Sequence, residues 1–161
     1  MIYDYVITTG KGDKLNLNDY RGRVIMIVNT ATGCGFTPQY EPIEQLYRNY
    51  HEKGLEILDI PCNQFGGQAP GTDDEIHEFC TLHFNTTFPQ MKKADVNGPD
   101  ELPLYTCYET TFVKQKFRQD IFLSVSTALA TLLYGGWLPQ VNGSPRILFV
   151  FRRGSLFTVP S

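Results

Sequence analysis

At 161 residues, with 42% hydrophobic and 19% charged residues, the chain has the makeup of one globular domain with its own core. A formal net charge of -3 gives no electrostatic ground for nucleic acid or an anionic membrane as partner, and no repeat, low-complexity tract or long like-charge run points to disorder. The opening MIYDYVITTGKGDK lacks the basic and apolar regions of a secretory signal, so a reducing, cytoplasmic setting is expected.

YDYVIT alternates and runs into the turn TGKGDK, which predicts an N-terminal hairpin ahead of LNLNDYRGR. The unbroken apolar run Val24 to Val28 predicts a strand covered on both faces. After the segment TGCGF, Thr37 is expected to cap a helix with Pro38 in its first turn and a stop at Gly54; Ile43, Leu46, Tyr47 and Tyr50 would face inward. LEILDIP reads as a second apolar strand and CNQFGGQAPGT as a glycine-rich loop. Thr72, followed by Asp73, Asp74 and Glu75, caps a second helix, TDDEIHEFCTLHF. Strand, turn, helix, strand, loop, helix is an α/β order, and a right-handed crossover sets both strand ends on one edge. Ligands in such sheets bind beyond the carboxyl ends of the strands, where Cys34 and the 61–72 loop would converge.

The four cysteines, Cys34, Cys62, Cys80 and Cys107, form no CxxC pair, and with only three histidines no metal site is expected. Cys34 falls just past a strand and just before a helix, a placement that favours thiolate at the helix's positive end. Gly33 and Gly35 would allow tight backbone geometry and close approach of a small oxidant. The plainer alternative is a turn cysteine between two turn glycines. His77 and His83 have no convincing metal spacing and read as solvated residues.

VNTATGCGFTPQYEPIEQLY, followed by LEILDIPCNQFGGQAPGTDDEIHEFC, resembles the glutathione peroxidase family, and the likeness runs on through FPQMKKADVNGPDELPLY to about residue 106. The resemblance implies a thioredoxin-like fold, a central mixed sheet flanked by helices. It also implies reduction of hydrogen peroxide or organic hydroperoxides through a sulfenic acid, recycled by thioredoxin or glutathione, with no cofactor. Cys34 stands where the family has its peroxidatic residue, and Gln68 where it has a catalytic glutamine. Cys80, in FC context on the second helix, matches the second cysteine of thioredoxin-reduced members and would close a disulfide with Cys34 after local unwinding. Asn63 and Gln64 are assigned to holding the loop, Cys62 to an inert buried position and Phe65 to the core.

The family's Trp-Asn signature, WNFxKF, is missing. The single tryptophan, Trp137, precedes Leu138 and Pro139, and Asn142 stands in VNGSPRILF without an aromatic before it. Residues 107–161 therefore reflect either divergence or a frame change in the gene, since an Asn-Gly pair encoded AATGGN contains the tryptophan codon in a shifted frame. An impaired enzyme or a redox sensor is the alternative that follows. Residues 121–138 carry no charge over eighteen positions, at the lower edge for crossing a bilayer, and with four serines and threonines they read as a buried or oligomer-facing helix. Beyond them RILFVF, RRGS and LFTVP predict a closing strand, turn and strand, with Pro145 in a context reminiscent of the thioredoxin active-site proline. Residues 1–161 are read as a single domain.

Overall fold

The structure is a computed structural model that describes residues 2–105, and the backbone of residues 147–150 and 156–158. Cys107, residues 121–138, Trp137, Asn142 and Pro145 lie outside the described residues.

The hairpin forms as expected from β1 (Val6–Thr8) and β2 (Lys14–Asn16), paired antiparallel with Ile7 opposite Leu15. The main sheet has the order β4-β3-β5-β6, where β3 is Val24–Thr30, β4 Leu55–Pro61, β5 Ile147–Val150 and β6 Leu156–Thr158. β3 runs parallel to β4 and antiparallel to β5, and β6 closes against β5, so the sheet is mixed. This is the thioredoxin-like arrangement expected.

Two apolar layers cover the sheet, and the alternation of β3 and β4 decides which residues enter each. Ile25 and Ile27, with Leu58 and Ile60, pack against the hairpin side, Leu17, Met91, Val96 and Leu104. Met26 and Val28, with Leu55 and Ile57, face α1 (Tyr40–Tyr50) and α2 (Asp73–Phe84). All seven residues of β4 are buried, and Asp59 falls on the helix-facing stripe with Leu55 and Ile57.

α1 departs from expectation at its start. Thr37 does not cap it: a 3-10 turn, Thr37–Gln39, precedes the helix, and neither Phe36 nor Gln39 supplies a side-chain cap. The Thr37 hydroxyl is occupied elsewhere, donating to the Ala31 carbonyl and accepting from the Cys34 N–H, both at 2.9 Å. At the other end the expected stop holds, for Gly54 takes φ +101°, open to glycine at little strain. α2 has the cap its sequence announces. Thr72 Oγ1 accepts from the Glu75 N–H at 3.2 Å, and the Glu75 carboxylate accepts from the Thr72 N–H at 2.7 Å.

Candidate active site

β3 ends at Thr30, and the chain turns at once through Ala31 to Phe36. The hydrogen bonds of Thr37 just described hold that turn closed around Cys34, and the Thr37 N–H returns one to the Cys34 carbonyl at 3.1 Å. Cys34 is half-buried, and its Sγ accepts the Phe36 N–H at 3.4 Å. A donor aimed at sulfur interacts more strongly with a thiolate than with a neutral thiol.

The loop after β4 meets this turn. The Gly33 N–H donates to the Gln68 carbonyl at 2.7 Å, and a Cβ on Gly33 would stand 3.2 Å from that oxygen, so a side chain there would press the two loops apart. Gly35 shows neither a positive φ nor a neighbour within 4 Å of an added Cβ, so the tight backbone contact is made at Gly33 while Gly35 borders open space. Gly66 and Gly67, at φ +63° and +67°, bend the second loop back toward Cys34.

Asn63 and Gln64 hold that loop, as their sequence context suggests. Asn63 Oδ1 accepts from the Ala69 N–H at 2.9 Å. Gln64 spans to the next segment: its Oε1 accepts from the Val96 and Asn97 N–H groups, and its Nε2 donates to the Asn97 carbonyl. Lys93 adds a clasp from below, its Nζ donating to the carbonyls of Ala69 and Gly71.

Between the two loops lies a cavity of about 40 Å³, lined among others by Cys34, Phe36, Gln68, Thr30 and Tyr40. Cys34 and Gln68 are thus brought to one pocket from opposite loops. Cys62 also reaches the pocket wall, but it is 1% exposed and burial pushes its thiol up. Phe65 is partly buried and packs against the hairpin-side core.

Cys80 is not in the pocket. It lies on the intact α2, 1% exposed among the helix-side core residues, and is a free thiol like Cys34 and Cys62. Burial, with a smaller push from the Asp59 carboxylate, raises it to about 12, and the Tyr40 hydroxyl works in the opposite direction. Of the two histidines beside it, His83 lies tilted against Phe79 with ring centroids 4.5 Å apart. Among the described residues no group of three or more histidine, cysteine or acidic side chains could hold a metal ion, and no helix is long and apolar enough to cross a membrane.

Sequence reasoning passes over the polar cluster beneath the pocket. Asp59 is 1% exposed. Thr30 Oγ1 donates to its Oδ1 at 2.5 Å, and the Tyr40 hydroxyl lies 2.6 Å from Thr30 Oγ1 and 3.3 Å from Asp59 Oδ2. Loss of water raises the Asp59 carboxyl to about 7, against the pull of those two hydroxyls. The available signal is an aspartate on the inward stripe of LEILDIP, in register with the apolar Leu55 and Ile57.

Comparison with known proteins agrees with this architecture. The family model described as "Glutathione peroxidase" matches residues 2–109. The chain is 50% identical over 103 residues to glutathione peroxidase-like peroxiredoxin 2 of Saccharomyces cerevisiae, a match that spans 64% of each chain, just under two thirds of that relative's length. The solved structure of "Trgpx in apo form" superposes with a TM-score of 0.62 at 27% identity, over 97% of this chain and 81% of that one. A thioredoxin family thiol:disulfide interchange protein from Chlorobium tepidum, 12% identical with a TM-score of 0.58 over 98% of this chain and 83% of that one, shares the fold. With a cysteine turn and a glutamine loop meeting at the end of a thioredoxin-fold sheet, and a family match across two thirds of its length, the chain belongs to the glutathione peroxidase family.

Proposed function

We propose that the chain is a thiol peroxidase that reduces hydrogen peroxide or an organic hydroperoxide at Cys34 and is recycled by thioredoxin or glutathione. The observation that carries this reading is the half-buried Cys34 sulfur in a small pocket, with the Phe36 N–H directed at it and Gln68 on the facing loop. The thiolate attacks one peroxide oxygen, the O–O bond breaks, and the departing oxygen takes a proton to leave as water or an alcohol; Cys34 is oxidised to sulfenic acid. Gln68, a primary amide, can donate to and accept from the peroxide without titrating.

Cys80 is the resolving thiol in this reading. Its thiolate attacks the Cys34 sulfenic sulfur, the S–O bond breaks, and hydroxide leaves and is protonated to water. The resulting disulfide is then opened by a dithiol such as thioredoxin. Because Cys80 sits in the helix-side core, α2 must open locally for the two sulfurs to meet. A cytoplasmic, reducing setting suits such a cycle. Pairing of β5 with β3 supports reading residues 1–161 as one domain.

A second reading, a family member that is oxidised at Cys34 but turns over poorly, is favoured by the missing Trp-Asn signature. Removal of one pre-organised donor commonly lowers rates by ~10²–10³. The two readings separate in one assay. Peroxide consumption coupled to thioredoxin or to glutathione is expected to be catalytic for the native chain and absent for Cys34→Ser, with a Cys34–Cys80 disulfide in peptide maps of the oxidised protein. One equivalent of peroxide consumed and no turnover would overturn the enzyme reading in favour of the sensor.

A further inference from the structure

Asp59 is a buried carboxyl for which peroxide reduction at Cys34 has no use, and its surroundings are specific. On the helix-facing side of the sheet it meets Tyr40 from α1 and Thr30 from β3. Cys80, from α2, interacts with the same Tyr40 hydroxyl and feels the Asp59 charge. From the segment after α2, Pro89 and Met91 reach Asp59 only through backbone hydrogen bonds, at 3.1 and 2.7 Å. Among the described residues the titratable groups facing the carboxyl are Tyr40 and Cys80, and Tyr40, in the same core cluster as Cys80, interacts with both of the others.

We propose that Tyr40 and Asp59 form a proton relay for Cys80, in which the Tyr40 hydroxyl passes the Cys80 proton to the Asp59 carboxylate when Cys80 is called on to attack oxidised Cys34. This rests on the resolving role of Cys80. Before transfer, the Cys80 S–H donates to the Tyr40 oxygen while the Tyr40 O–H, 2.6 Å from Thr30 Oγ1 and 3.3 Å from Asp59 Oδ2, swings from Thr30 to Asp59. Afterwards the Asp59 carboxyl carries the proton, its O–H donates to Tyr40, and the Tyr40 O–H turns to the Cys80 thiolate. One S–H bond is broken and one carboxyl O–H bond is made; no redox change occurs in this step. The thiolate then forms the S–S bond with Cys34 as α2 opens, hydroxide leaves the sulfenic sulfur, and Asp59 returns its proton to solvent. The need for a relay is plain from the surroundings: an apolar site raises the thiol, and among the described residues Asp59 is the base that acts on it. Asp59 is a positioning residue in this scheme, acting on Cys80 through Tyr40.

The test is a single turnover of the full chain with one equivalent of hydrogen peroxide from pH 5.5 to 9. Sulfenic acid is trapped with dimedone, disulfide is counted by mass spectrometry, and disulfide closure is timed relative to Cys34 oxidation in the same variant. In the native chain closure is expected to quicken as pH rises through about 7, where Asp59 becomes able to accept a proton. Asp59→Asn should lose that rise and close on the order of 10²-fold more slowly at pH 8. Tyr40→Phe, which keeps the ring and removes the conduit, should slow closure likewise. The sign of the first effect discriminates. A carboxylate that is only a bystander raises the Cys80 thiol, so its removal would speed closure; equal or faster closure in Asp59→Asn overturns the relay and leaves Cys80 as resolving thiol. Absence of any Cys34–Cys80 bond in the native chain overturns the resolving role itself, and the relay with it.

Discussion

Asp59 shows how much one residue's surroundings decide. In water its carboxyl ionises near 3.8, whereas inside the sheet two hydroxyls do not make up for lost hydration, and it rises to about 7. The folded state therefore holds a proton that the unfolded chain has released between those values. A raised value of this kind contributes stability that is full below about 3.8 and is lost as pH rises through about 7. Asp59→Asn, which keeps the shape and does not titrate, should thus become more stable relative to the native chain as pH rises. The gain should grow by at most about 1.4 kcal/mol per pH unit and level off above pH 7. Urea unfolding at pH 5, 6.5 and 8 measures it, and a difference independent of pH would show that Asp59 is ionised throughout. None of this was legible in LEILDIP, because the groups that set the titration, Thr30 and Tyr40, lie 29 and 19 positions away.

At the scale of elements, α1 and α2 show two outcomes of the same local rule. Each has a threonine at the position where its sequence announces a cap, but only Thr72 caps. Its partner Glu75 lies three residues on and the two form a reciprocal capping box, so the local sequence suffices. Thr37 is drawn instead to Ala31 and Cys34, which exchanges a helix cap for a fixed cysteine turn. Thr72→Ala should therefore lower stability by about 1 kcal/mol in urea unfolding, as for a lost N-cap. No change in stability would mean that burial of Ile76 and Cys80 holds α2 without the cap. The loop after β4 is legible in part: its glycines announce a turn, and Asn63 and Gln64 hold it as their sequence context suggests. The clasp from Lys93 was not, since its acceptors are backbone carbonyls 22 and 24 residues away.

Across the whole molecule, β3 is the pivot. It pairs with β4 on one side and with β5 on the other, so a strand from the far end of the chain lies next to the strand that presents Cys34. Residues 1–105 alone would leave the β3 edge from Ile25 to Val28 unpaired, an apolar strand edge of the kind that recruits other chains. That fragment is expected to aggregate or to unfold without a cooperative transition, as followed by size-exclusion chromatography and circular dichroism; a monomer with native-like unfolding would show that β5 and β6 are dispensable. By itself the amino-acid sequence determined the α/β order, the hairpin, the buried strands, the α2 cap and the family, because these depend on periodicity and on motifs read over a few neighbouring residues. Only the tertiary structure decided that Cys34 and Gln68 share a small pocket, that Thr37 serves the cysteine turn, and that Asp59, Tyr40 and Cys80 meet beneath it. Those arrangements depend on which stripe of β4 faces the helices and on loops closing across the sheet, distances that no local pattern encodes.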